Sequence, residues 1–404
     1  MTPTVRIGRL LPLQIPALFL VGAALAGGAD WLSLRGDAQN SGWQRDEKIL
    51  NIRTVGRLRL LWQRKLSDTP DSLTDPLILG PIITHRGIKE LVFVQNTAGS
   101  VYAIDADLGR IFWNRSLGSP SACSGGQPVQ PTMRESPASN IAEASSDEDN
   151  FSDGNRPLYT LTASGTVFLL RPSTGDDFSP SFRFLPPDVF PVRMKALEST
   201  LNATTSKTCG GVANASWSIP VSAVGVPAGR AAPAEAGMTE FPVEFPWHGK
   251  PWQATVDQNG EPRLRLAIGA KQDAPQTAGR LATWEDAEAT RWIYTAARSQ
   301  VAAFKVRNGN AGQPAVTPSW RLSSLSDPVA PVVANGIVYS LAKTAVDGPL
   351  VLRAVDALTG EELYTSKDAI KSRASSSNLA VANGHVCFST TDSQTYCFGL
   401  PFEL

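Results

Sequence analysis

The chain has 404 residues, with 37 Lys+Arg against 37 Asp+Glu, a hydrophobic fraction of 42% and only 18% charged residues. A formal charge of zero argues against a nucleic-acid partner, which needs a basic surface to neutralise phosphates, and equally against a polybasic membrane patch. Low charge with 33 Gly and 30 Pro suits a turn-rich β protein outside the cytoplasm.

The first 29 residues read as a secretory signal peptide. Arg6 and Arg9 make a positive start, Leu10 to Ala26 is apolar, and Ala24-Leu25-Ala26 offers small residues for processing, with a second cut available after Ala29. An uncleaved anchor is the competing reading. The apolar run is about 17 residues, the lower limit for a span, and Pro12, Gln14 and Pro16 interrupt it. Export to a secreted or periplasmic location is expected, with no transmembrane domain after cleavage. No Cys follows the run, so a lipid-modified N-terminus is not expected.

Beyond it, period-two alternation predicts strands in recurring groups. Leu58 to Leu66 reads as a lone outer strand carrying Trp62. Pro81 to Thr84, Leu91 to Val94 and Ser100 to Trp113 give the clearest complete unit. Ser119 to Asn155 is rich in Ser, Pro and acids and is expected to be a loop insertion; a second is expected near 224–237. Leu158 to Leu161 with Gly165 to Leu170 form another unit, and weaker ones lie near Cys209 to Val221 and Phe241 to Ile268. Trp292 to Tyr294, Val301 to Phe304 and Trp320 follow. Pro331 to Tyr339 then opens a unit around the tight-turn pair Asn335-Gly336, a device repeated at Asn383-Gly384.

One phrase occurs twice. Ala103, Asp105, Gly109 and Trp113 are spaced as Ala354, Asp356, Gly360 and Tyr364. It describes a strand, a turn capped by Asp and opened by Gly, and a returning strand ending in an aromatic ring. About seven units (eight is the alternative) of roughly 40 residues predict an all-β fold. The architecture is a single β-propeller of four-stranded blades over 30–404, since radial stacking lets neighbours cover both faces of each sheet. The last unit lacks an outer strand and the N-terminal strand lacks a unit, so the two should pair and close the ring.

Four cysteines permit two disulfides in an exported protein. Cys387 and Cys397 flank a turn and can face each other across a hairpin; Cys123 and Cys209 are left to each other.

These motifs resemble the pyrrolo-quinoline quinone-like β-propeller repeat family, whose blades carry Ala-x-Asp-x-x-x-Gly-x-x-x-Trp and dock each Trp-bearing turn on the next blade. Trp31 to Gly42 is similar to the family's entry segment, and Tyr396 to Leu400 to its exit. The resemblance implies one of two branches. One holds quinone-dependent alcohol or sugar dehydrogenases, which use Ca²⁺, an Asp base and, in the larger rings, an adjacent Cys-Cys pair. The other holds cofactor-free scaffolds such as the outer-membrane assembly lipoprotein. No two Cys are adjacent here, no Cys-x-x-Cys-His exists for a covalent haem, and no Gly-x-Ser-x-Gly marks a nucleophile. Asp105 and Asp356 are expected to cap turns. The acidic run Asp147-Glu148-Asp149-Asn150 lacks EF-hand spacing, and His85, His248 and His385 are scattered.

The expectation is therefore a monomeric binding or scaffold protein of the envelope or cell exterior, with a protein or envelope component as partner and no catalytic, cofactor or metal residue assigned. A diverged quinoprotein holding the quinone with Ca²⁺ is the first alternative. A carbohydrate-binding propeller using the spare aromatics Trp247 and Trp252 is the second.

Overall fold

The computed structural model describes residues 29–37, 39–67, 73–118, 128–134, 156–197, 199–208, 211, 213, 215–222, 226–228, 232–233, 243–257, 259–267, 280–297 and 299–401. The expected signal segment before Ala29, Cys123, Cys209 and the acidic run at 147–150 lie outside them.

Seven antiparallel sheets follow one another along the chain and form a seven-bladed propeller. Blade 1 has four strands, Leu77–Thr84 innermost, then Gly87–Gln95, Ser100–Asp105 and, outermost, Ile111–Ser116. Blade 2 comprises Leu158–Leu161, Thr166–Leu170 and Asp177–Arg183. Its innermost position is taken by a bridge between Thr132 and Tyr159. Part of the stretch expected to be a loop insertion is thus core: Val129, Thr132 and Met133 are buried. Blade 3 runs from Phe190–Ala196 through Thr200–Ser206 and Ala215–Pro220 to Ala232–Pro233. That short outer strand comes from the other expected loop.

Blade 4 has Val243–Trp247, Lys250–Val256 and Pro262–Leu266. Blade 5 has Leu281–Glu285, Arg291–Ala297, Gln300–Asn308 and Pro314–Leu322. Blade 6 has Val332–Ala334, Ile337–Lys343, Leu350–Asp356 and Glu362–Thr365, joined on its inner edge by Trp43–Gln44. Blade 7 has Ala380–Ala382, His385–Thr390 and Gln394–Gly399. Its outer strand is Arg59–Lys65 from the other end of the sequence, antiparallel to Gln394–Gly399. That pairing closes the ring and removes an open sheet edge.

Alternation within each strand explains why the blades stack. In Leu91-Val92-Phe93-Val94 all four side chains are buried, yet they point two ways. Val92 and Val94 join a core shared with Val381, Phe388 and Tyr396 of blade 7. Leu91 and Phe93 join a second core with Met133, Leu158 and Leu170 of blade 2. Blade 5 repeats the division, Ile293 facing blade 4 and Trp292 facing blade 6. No sheet can bury both faces alone; each depends on its neighbours.

Candidate functional site

The innermost strand of every blade turns an edge toward the axis, and those edges need partners. The segment from Ala29 to Glu47 supplies backbone partners to blades 1, 2, 4, 5 and 6 and reaches blades 3 and 7 through side chains. Trp31 exchanges backbone hydrogen bonds with Ile78 of blade 1 (2.8 and 3.0 Å), and Met133 of blade 2 donates to Leu32 O (2.8 Å). Lys195 of blade 3 donates from Nζ to Asp37 O (3.0 Å) and Asn40 Oδ1 (2.5 Å). Glu244 of blade 4 donates to Gln39 O, Thr283 of blade 5 to Ser41 O and Val333 of blade 6 to Gly42 O, at 3.0, 2.8 and 2.8 Å. Gln44 Nε2 reaches Val381 O of blade 7 (3.3 Å), where Asn383 Oδ1 also accepts from Ala29 N (2.7 Å). This segment is an internal strap.

Its coil depends on left-handed backbone at Arg35, Gly36, Asn40 and Gly42. At Gly42 (φ +63°) a Cβ would lie 2.2 Å from the Arg35 guanidinium, so a side chain there would displace Arg35 from its carbonyl partners. Arg35 is buried and donates from Nη2 to Leu281 O (2.5 Å) and Pro331 O (2.8 Å), tying blades 5 and 6 together. Burial pulls its pKa down to about 10, against the opposing pull of Asp75 and Asp37. The strap's carboxylates have partners of their own. Asp37 accepts from Ser41 N (2.8 Å), Ser41 Oγ (2.5 Å) and Arg45 (2.5 Å). Asp30 pairs with Arg156 at 2.8 Å. Asp75, facing the axis from blade 1, holds both nitrogens of Asn378 at 2.9 Å. Burial raises the pKa of Asp75 and Asp30.

A Ca²⁺-bound quinone would need a cluster of oxygen donors at such an axis and room beside it. Among the described residues no three His, Cys, Asp or Glu side chains gather closely enough to hold a metal ion. The axial carboxylates are spread over different partners. Among the described residues these carboxylates form no shared cluster of oxygen donors.

The repeated motif serves blade stacking. Asp105 Oδ1 accepts from the backbone of Asp107 (3.1 Å) and Leu108 (3.0 Å), and Asp356 Oδ1 from Leu358 (2.9 Å) and Thr359 (2.8 Å). Ala103 and Ala354 lie opposite Trp113 and Tyr364 in register, leaving room for the rings. Each indole docks on the next blade's turn. Trp62 donates to Ala106 O (2.6 Å), Trp113 to Pro172 O (2.7 Å) and Trp320 to Ala357 O (2.9 Å). Each lies against a turn glycine, Gly109, Gly175 or Gly360, whose added Cβ would meet the ring within 2.5–2.8 Å.

Cys387 and Cys397 oppose each other in register and form a disulfide, with Cα atoms 4.2 Å apart. Trp252 is buried in the core between blades 4 and 5. Trp247 instead lines a groove of about 370 Å³ with Thr290, Arg291, Lys305 and Arg307. His248 is exposed and bonded to Asn308 (2.6 Å); His85 packs on Phe112.

His385 is different. It is buried where blade 7 meets blade 1, with Nε2 3.2 Å from Asp107 and Nδ1 3.2 Å from Glu90. Glu90 and Asp107 thus face the two ring nitrogens from the neighbouring blade. Burial opposes protonation, but the two carboxylates outweigh it and lift the pKa to about 9. A lone His in sequence gave no sign of these partners, which are nearly 300 positions away.

No family model and no curated protein matches this chain. Solved structures do. The chain is similar to quinohemoprotein alcohol dehydrogenase ADHIIG from Pseudomonas putida HK5, with 10% identity, a TM-score of 0.54, and coverage of 93% of this chain and 81% of that one. Quinohemoprotein alcohol dehydrogenase from Comamonas testosteroni aligns at 11% identity and TM-score 0.47 over 93% and 81%. BamB from Moraxella catarrhalis aligns at 13% and 0.38 over 86% and 99%. At such identity the first likeness speaks for the propeller fold alone.

Proposed function

We propose that this protein is an exported, non-catalytic propeller that binds a protein or another envelope component through its faces and rim. The observation that carries this reading is the strap: the chain's own residues take the hydrogen-bonding edges that line the axis, where a propeller would otherwise seat a ligand. Recognition then falls to the turns between strands. The N-terminal apolar run supports export. Ala29, only 3% exposed and bonded to Asn383, favours processing after Ala26 over processing after Ala29.

The test is reconstitution of the purified protein with the quinone and Ca²⁺, followed by dye-linked oxidation of alcohols and sugars. The expected result is neither stoichiometric quinone binding nor turnover. Tight one-to-one binding with turnover overturns the proposal in favour of a diverged dehydrogenase. A carbohydrate-binding reading draws on the Trp247 groove, whose three cations would suit an acidic sugar. Retention on a glycan panel that is lost in Trp247→Ala would support it, and unchanged retention would end it.

A further inference from the structure

Propeller turns emerge on two faces. One carries the turns between the first and second strands and between the third and fourth; the other carries the remaining loops. Among the described residues seven large aliphatic side chains are exposed, and six of them lie on the first face in one sector, blades 6, 7 and 1. Ile83 and Ile88 flank the first turn of blade 1, and Leu108 and Leu358 occupy the Asp–Gly turns of blades 1 and 6. Ile49 and Ile52 belong to the arm that leaves the strap. That arm lies across the first turns of blades 6 and 7, where Asn335 Nδ2 donates to Leu50 O (3.1 Å) and Gly384 N to Glu47 Oε2 (3.1 Å). Only Val346 sits on the opposite face.

Ile83 and Ile88 stand opposite each other in register, and Leu108 projects from the other turn of the same blade. Ile88 is 69% exposed and Leu108 52%. Exposed cations stand among them, Lys48, Arg53 and Arg57 on the arm and Arg86 and Arg110 at the blade 1 turns, against the exposed carboxylates Asp46, Glu361 and Glu362 and the part-exposed Asp107, which faces His385. A neutral total charge therefore hides a local concentration of basic and aliphatic groups. The chain also enters the fold on this face, since Ala29 is bonded to the first turn of blade 7 and the apolar run Leu10 to Ala26 ends just before it.

We propose that this sector is a membrane-contact surface, which lays the blade 6–7–1 turns on an anionic phospholipid bilayer. Single aliphatic tips enter the acyl boundary while neighbouring Lys and Arg meet the headgroup phosphates, the pairing that gives interfacial binding. The chain's entry point gives the same orientation whether or not the leader is retained. A protein partner would be served better by a continuous apolar patch than by small aliphatic tips interspersed with charge.

The experiment places an environment-sensitive fluorescent amino acid at position 88 or at position 346 of the full chain, then adds vesicles of phosphatidylglycerol with phosphatidylcholine, or of phosphatidylcholine alone. A blue shift at 88 and none at 346 is expected with the anionic vesicles, reduced in about 0.5 M salt by screening. Ile88→Asp with Leu108→Asp should lower partitioning about tenfold, at an unchanged unfolding midpoint. Equal response at both positions, no response at 88, or undiminished partitioning of the double variant overturns the proposal. So does a position 88 probe that responds to soluble polyglutamate but not to vesicles. Should the double variant fold poorly, the comparison of positions 88 and 346 decides alone. Quinone turnover is a separate readout and leaves this test untouched.

Discussion

At the scale of single residues, two buried charges hold the ring. Arg35 satisfies carbonyls of blades 5 and 6 with one nitrogen. Arg35→Met leaves Leu281 O and Pro331 O without donors inside the axis. It should cost about 2–4 kcal/mol, read as a lower urea midpoint. His385 acts at the closing interface. Its folded pKa of about 9 lies above the ordinary 6.5, so its contribution is fully present below pH 6.5 and is lost as pH rises through 9. The difference corresponds to roughly 3 kcal/mol. Unfolding midpoints measured from pH 6 to 10 should fall with pH in this window. His385→Asn should flatten that slope; a slope equal to that of the unsubstituted protein would contradict the assignment. Neither role is legible from sequence, because the partners of both residues are set by ring closure rather than by neighbours along the chain.

At the scale of elements, the Asp–Gly turn and its docked Trp form the unit of assembly. Asp105 and Asp356 stand in turns that their own side chains cap, and Gly109 and Gly360 supply both a left-handed backbone and an open surface for the incoming indole. Gly109→Ala meets both penalties, a positive φ and a Cβ 2.5 Å from Trp62. It should destabilise by about 2–3 kcal/mol. Asp105→Ala, which removes the cap and the ion pair that Lys89 Nζ makes with Asp105 at 2.9 Å, should cost less; thermal melts of the two variants check the order. This motif was readable because its chemistry is local and its spacing repeats. The innermost position of blade 2 was not readable. Thr132 pairs through a single bridge within a Ser- and Pro-rich stretch, too short to show alternation. Blade 3's outer strand, Ala232–Pro233, is two residues long and equally silent.

At the scale of the whole molecule, the orphan strand at Arg59–Lys65 and the missing outer strand of blade 7 could be matched from sequence, because an unpaired edge is costly at any distance. The strap could not. Trp31 to Gln44 is rich in Gly, Asp, Asn and Ser, has no hydrophobic period, and looks like an entry loop. Its burial follows from seven inner edges that exist only once the ring has formed. The functional proposal depends on that burial, since an axis held by the chain itself leaves the faces for recognition. Native-state hydrogen exchange on the amides of Glu244, Thr283 and Val333, which donate to Gln39, Ser41 and Gly42, tests it most directly. The strap predicts protection of these inner-edge amides comparable to that of the central strands of the same blades. Exchange at the rate of an open loop would show that the axis stands free and would contradict the account.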